Sequence, residues 1–91
     1  MEFWEKHPET EQPLKAWYAR TKAADWQNPQ EVLSDFGTAK VVSKDRLRFK
    51  IHGNNYRMIV GFKFSAGIAF IKFIGTHKEY DQIDAGTVSQ F

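Results

Sequence analysis

Ninety-one residues with a net charge of +2 and no cysteine make one domain, residues 1–91, in which disulfides and thiolate zinc sites are impossible. No apolar stretch reaches membrane-spanning length, and the N-terminus lacks the basic and apolar regions of a secretory signal, so a cytoplasmic protein without membrane contact is expected. So short a chain buries a modest share of its surface, but its eight Phe, three Trp and three Tyr each bury a large area.

In chain order, Phe3 to His7 can form a short helix, which Pro8 stops. Pro13 suits the first turn of a second helix, expected from about Glu11 to Ala24. Leu14, Trp17, Tyr18 and Thr21 fall at helical spacing and give it one mostly apolar face. A third helix begins at Asn28, a good N-cap, with Pro29 in the first turn and Glu31 placed for a capping-box-like pair. Val32, Leu33 and Phe36 form its inner face, and Gly37 is the expected stop.

From Ala39 the period changes to two. Leu47, Phe49 and Ile51 alternate with Arg46, Arg48 and Lys50. His52-Gly53-Asn54-Asn55 is a turn signal, Tyr56 to Phe64 a strand, Ser65-Ala66 a tight turn beside Gly67, and Ile68 to Ile74 the last strand. The turns predict the register. Ile51 pairs with Tyr56, Phe49 with Met58, Leu47 with Val60, Val60 with Ile71, and Met58 with Phe73. One sheet face is then apolar: Leu47, Phe49, Ile51, Met58, Val60, Phe62, Ala69, Ile71 and Phe73. The other carries Arg48, Lys50, Arg57, Ile59, Lys63, Phe70, Lys72 and Ile74. A slip of one residue would exchange the two sets on a strand.

Charge is unevenly spread. Between Lys40 and Lys72 lie Lys44, Arg46, Arg48, Lys50, Arg57 and Lys63, against one acid, Asp45. Most acids precede Asp35. One region can therefore offer a positive surface to phosphates. Lys50 and Arg57 come out directly opposite each other, an unfavourable like-charge pair unless an anion joins them. An ordinary solvated sheet face is the other reading of the same cations.

The last strand stops at Gly75 and leads into Thr76-His77-Lys78-Glu79-Tyr80-Asp81. An imidazole, an ammonium, a phenol and two carboxylates thus gather at a strand end. Cleavage of RNA by its own 2′-hydroxyl needs a base, an acid and fixed positive charge. His77 and Tyr80 are the candidate proton carriers, Arg57 the phosphate fork, and Lys50 a further catalytic charge. Arg48, Lys72, Lys78 and Asn55 are candidate RNA-binding residues, and Asp81 can orient His77 or Tyr80 or act as the base. Structural roles stand beside these. His77 can be a hydrogen-bonded loop residue, Tyr80 a core cap, Lys78 and Glu79 a solvated pair, Asp81 a turn cap, and Asn54 and Asn55 turn residues suited to positive φ. His7 and His52 fall outside any cluster, and no metal site or cofactor is expected.

Four segments carry a likeness: Phe3-Trp4-Glu5-Lys6-His7-Pro8, Ala16-Trp17-Tyr18, Gly53-Asn54-Asn55-Tyr56-Arg57 and Gly75-Thr76-His77-Lys78-Glu79-Tyr80-Asp81. Together they span almost the whole chain, which resembles the HigB-type mRNA interferases, RelE-like toxins of bacterial toxin–antitoxin pairs. The resemblance implies an α+β fold with N-terminal helices packed on one face of a small three- to four-stranded antiparallel sheet. It implies ribosome-associated mRNA cleavage without a metal, and a HigA-type antitoxin that blocks it. Promoter DNA would be bound only through the toxin–antitoxin complex. It does not supply a list of catalytic positions. The RelE-like superfamily also holds ParE gyrase poisons, so a gyrase poison and a non-catalytic RNA-binding module are the alternatives. Family members carry further residues before the Phe3 segment, including a first strand. Without it an exposed sheet edge is expected, open to a neighbouring chain or an antitoxin segment.

Overall fold

The computed structural model describes residues 3–90. Two 3₁₀ turns, Phe3–Glu5 and Pro8–Thr10, lead into helix α1, Glu11–Ala23. Helix α2 is Pro29–Asp35, and a four-stranded antiparallel sheet follows in the order β1 (Lys40–Ser43), β2 (Arg46–Ile51), β3 (Tyr56–Lys63), β4 (Ile68–Thr76). A one-turn helix α3, His77–Tyr80, closes the regular structure. The fold is α+β and compatible with the RelE-like architecture.

Local chemistry accounts for the helix starts and stops. The Asn28 side chain accepts a hydrogen bond from Glu31 N at 3.1 Å and caps α2, with Pro29 in the first turn. The helix ends before Gly37: Phe36 N donates to the Val32 carbonyl and its own backbone leaves the helical region. At the β3–β4 connection Phe64–Ala66 forms a 3₁₀ turn, and Gly67 takes the left-handed conformation (φ 67°) that glycine adopts without strain.

The helix-side core contains Leu14, Trp17, Val32, Leu47, Phe49, Ile51, Met58, Val60 and Phe62. Phe49 is its centre. Trp17 meets it edge-on at 5.4 Å and Phe36 at 5.2 Å, the T-shaped geometry aromatic rings prefer. The β2–β3 register follows the expected pairs: Leu47 with Val60, Phe49 with Met58, Lys50 with Arg57, Ile51 with Tyr56.

One correction concerns β4. Val60 faces Ile71 as expected, but Ile59 faces Phe73 and Met58 faces Ile74. Lys72 is an extra residue, a β-bulge. It exchanges the expected places of Phe73 and Ile74. Ile74 joins the helix-side core. Phe73 goes to the open face, where it packs against Tyr80 at 6.3 Å. Alternation cannot reveal this, because Phe73 and Ile74 are both apolar and either can face the core.

The open face is partly covered. Arg46 donates to the carbonyls of Ala85 and Val88, so the C-terminal segment crosses that face. Ile59 and Phe73, 0% and 5% exposed, are buried on it, outside the helix-side core. Gln90 then reaches the outer edge of β4: its N–H donates to the Lys72 carbonyl at 2.8 Å and its side chain accepts from Ile74 N at 2.9 Å. The chain's own residue therefore covers the β4 edge at Lys72 and Ile74. Ile68, Phe70 and Ile71 ahead of it stay exposed.

Candidate functional site

The site forms where the β2–β3 turn meets the end of β4. His52 (φ 55°) and Gly53 (φ 66°) make the turn, closed by Asn55 N donating to the His52 carbonyl at 3.3 Å. His52 pays a modest steric cost there that Gly53 does not. Asn55 has two further bonds: its side-chain amide meets His52 Nδ1 at 3.2 Å, and its carbonyl accepts from His77 N at 3.0 Å. The second ties the turn to α3.

Helix α3 has a full capping box. Thr76 Oγ1 accepts from Glu79 N at 3.1 Å, and Glu79 accepts from Thr76 N at 2.8 Å. Glu79 is thus a capping residue rather than half of a pair with Lys78. The signature Thr-x-x-Glu was present in the sequence and marks this helix start. Gly75 allows the fold-back. A Cβ there would lie 2.8 Å from Phe73 Cζ and 2.7 Å from Glu79 Oε1, closer than real side chains approach.

The fold-back sets Tyr80 beneath Arg57, whose guanidinium carbon lies 5.0 Å from the ring centroid. Such stacking holds the fork flat and costs it little hydration. Arg57 Nη2 donates to Asn54 Oδ1 at 2.9 Å. Its Nε is buried without a hydrogen-bond partner. Lys50 lies directly across the ladder from Arg57. His77 Nδ1 is 3.3 Å from Asp81 Oδ2, one turn along, with both side chains about half exposed. A carboxylate there selects the ring orientation.

Arg57, Tyr80, His77, Lys50 and Asn55 therefore gather at one end of the open face. The other candidates lie apart. Arg48 shares the face, but its guanidinium donates to the Thr38 carbonyl at 3.2 Å. Lys72 lies near Gly61, its ammonium 5.3 Å from the Phe70 ring. It is three residues from Gly75, the partner of Arg57, or roughly 10 Å along the strand. Lys78 is exposed on α3. Two partners were not anticipated: Asn54 as the ligand of Arg57, and Arg46 as the tether of the C-terminal segment. Both depend on contacts that spacing does not display.

A second polar group lies at the opposite side of the turn. The Tyr56 hydroxyl donates to Glu9 and is 3.2 Å from His7 Nδ1, while His7 stacks on Phe3 at 4.5 Å. The bond from Tyr56 lowers the Glu9 carboxyl below its usual value, and the same bond raises the Tyr56 phenol. His7 thus belongs to a cluster after all, one that fastens the N-terminal turns to β3.

A model of the HigB toxin family, described as the RelE-like toxic component of a toxin–antitoxin system, matches residues 10–83. The chain belongs to the HigB toxin family. It is the toxic component of a toxin–antitoxin system, and an antitoxin is its implied partner. No curated protein matches the chain. Every candidate residue of this HigB-family toxin lies within the matched span. Among the described residues, no group of three or more His, Cys, Asp or Glu is placed to hold a metal ion. No helix among them is long and apolar enough to cross a membrane.

Proposed function

We propose that this HigB-family toxin is an endoribonuclease that cleaves mRNA on the ribosome, through attack of the RNA 2′-hydroxyl, and that a HigA-type antitoxin neutralises it. The observation that carries the reading is the Arg57–Tyr80 stack, with Lys50 across the ladder and the His77–Asp81 pair on the same one-turn helix. These are the groups the reaction needs. Arg57 and Lys50 stabilise the phosphate as negative charge builds on its oxygens. His77, with Asp81 behind it, moves a proton at one oxygen, and Tyr80 moves one at the other. Tyr80 lies under the Arg57 guanidinium, which keeps a fixed positive charge over its ring. Arg48, Lys72 and Asn55 would guide the strand on either side.

The test is a single-turnover assay on mRNA with translating ribosomes, using folded variants. His77→Ala is expected to slow cleavage roughly 10²–10⁴-fold. Tyr80→Phe keeps the ring under Arg57 and deletes only the hydroxyl, so a similar loss isolates the chemistry from the packing. Arg57→Ala should reduce rate more than RNA affinity. Products should carry a 2′,3′-cyclic phosphate, and cleavage should persist in EDTA because side chains supply the acid, base and charge. Wild-type rates from both His77→Ala and Tyr80→Phe would move the chemistry to Lys50, Lys78 and Asp81. Intact mRNA together with inhibited plasmid supercoiling would replace the reading with a gyrase poison.

A further inference from the structure

The Arg57 fork is held by uncharged groups alone. Its guanidinium lies over the Tyr80 ring at 5.0 Å, and its Nη2 donates to Asn54 Oδ1 at 2.9 Å. Among the described residues no carboxylate pairs with Arg57, nor with Lys50 directly across the ladder. Two facing cations repel, and a long side chain loses entropy when it is fixed, so the fork needs a group that holds it in place. Asn54 is free to be that group. It is exposed at the β2–β3 turn, and the positive φ angles of that turn fall on His52 and Gly53, so no steric demand of the turn rests on Asn54. The next residue, Asn55, donates its N–H to the His52 carbonyl and accepts at its own carbonyl from His77 N. One short turn therefore carries both the tether of Arg57 and the anchor of the helix that bears His77 and Tyr80.

We infer that Asn54 is the positioning residue of Arg57, a neutral tether that fixes the fork over Tyr80 and leaves its whole charge for the RNA phosphate. An amide oxygen accepts the hydrogen bond and brings no charge with it. A carboxylate at the same place would grip the guanidinium harder, because the bond would be charge-assisted. It would also offset the positive charge that a phosphate needs as negative charge builds on its oxygens. The tether leaves the fork unsaturated, since Nη2 has one partner and Nε is buried with none. What the fork does rests on the ribonuclease reading; how the fork is held does not.

The test uses the full chain carrying Asn54→Ala, Asn54→Asp, Arg57→Ala, or Asn54→Ala with Arg57→Ala. Each is assayed for single-turnover cleavage of mRNA on translating ribosomes, and for affinity toward a 2′-O-methyl RNA, which lacks the attacking hydroxyl. Asn54→Ala should slow cleavage at saturation roughly tenfold or more, because a misplaced fork loses the geometry of the transition state. Its affinity for the 2′-O-methyl RNA should change little, since the charge is still present. Asn54→Asp should weaken that affinity, and the slope of log affinity against log salt should fall by about 0.7, the value of one single-strand phosphate contact. The double variant should be no slower than Arg57→Ala, because the tether acts only through the fork. An asparagine that merely shapes the turn would add its loss to that of Arg57→Ala. Wild-type cleavage by Asn54→Ala, a double variant slower than Arg57→Ala by the full Asn54→Ala factor, or an unchanged salt slope in Asn54→Asp would each overturn the inference. If the wild type leaves mRNA intact, the ribonuclease reading fails by itself and the Arg57 Nε–H signal decides the tether. Asn54→Ala should speed the exchange of that proton with water, and unchanged exchange would overturn the tether.

Discussion

The two faces of the sheet are built on different physics. On the helix side, fully buried Leu47, Phe49, Met58 and Val60 sit between α1, α2 and the sheet, and each is held by many weak contacts. On the open face, Arg57, Tyr80 and His77 are held by a few specific ones: a 2.9 Å bond to Asn54, a stack, and one backbone bond from His77 to the turn. The first arrangement tolerates the loss of no large side chain but gives no chemistry. The second leaves polar groups free to act, and can be disabled without unfolding the domain. Stability and activity should therefore separate by face.

The largest separation is expected from Phe49→Ala. It removes the ring that both Trp17 and Phe36 contact, and should cost about 3–5 kcal/mol in denaturant unfolding. Trp17→Ala should fall in the same range of about 3–5 kcal/mol. For a domain of this size that is a large share of the total. Near-unchanged midpoints for both would show that the aromatic cluster is not the centre of the core.

Gly75→Ala tests the join between the faces. The new methyl would sit 2.8 Å from Phe73 Cζ and 2.7 Å from Glu79 Oε1, so the Phe73 ring and the Glu79 side chain must shift, and Glu79 is half of the α3 capping box. Overpacking of this kind costs about 1–3 kcal/mol. Cleavage should fall further than stability predicts, because Tyr80 packs on Phe73 and sits on the helix that Glu79 caps. A variant with full activity and a shifted midpoint would detach the site from the placement of α3.

Thr76→Ala is milder. It removes the side-chain half of the capping box, worth about 0.5–2 kcal/mol locally. Most of that should appear as faster amide exchange in α3 and not as global unfolding, since local opening of a one-turn helix leaves the core intact. Thr76→Ser should restore the protection.

The same contrast explains what was legible in the sequence. The helix-side core follows from alternation and from turn chemistry, and the β2–β3 register came out pair for pair. The bulge at Lys72 escaped, because Phe-Ile offers an apolar side chain to the core in either phase. On the open face, Lys50 and Arg57 could be set opposite each other from turn length alone. That Tyr80 lies under Arg57 could not, since it depends on Gly75 and the capping box turning the chain back. The Thr76–Glu79 signature is that of a helix start, but it directly follows an apolar strand run, so the segment reads equally as a strand end. Asn54, Arg46 and the Tyr56–Glu9 bond depend on contacts between side chains or backbone atoms that periodicity does not encode.

The smallest effect is expected at that last contact, and its sign follows from linkage. Glu9 has its carboxyl lowered below the ordinary 4.5, first by the hydrogen bond from Tyr56, next by a backbone hydrogen bond, and least by the neighbouring His7 and His52. A group whose folded pKa is depressed contributes stability above its unfolded value and loses it as pH falls through the folded one. Tyr56 behaves in the mirror sense. Its phenol is raised above 10.0 by the same carboxylate, so its contribution is present below that value and is lost as pH rises through the raised one. Between the two, the ionised carboxylate and the neutral phenol coexist and the bond is intact. Tyr56→Phe deletes the hydroxyl and keeps the ring against Phe3 and His7. Wild type should lose unfolding free energy more steeply than Tyr56→Phe below pH 4.5, and the two should run parallel from there to near pH 10. Glu9→Gln should flatten the acid limb at least as much, and the double variant should add nothing to Glu9→Gln, because the Tyr56 bond is already gone there. Identical acid limbs in wild type and Tyr56→Phe would show that the N-terminal turns are fastened by the Phe3–His7–Tyr56 rings alone.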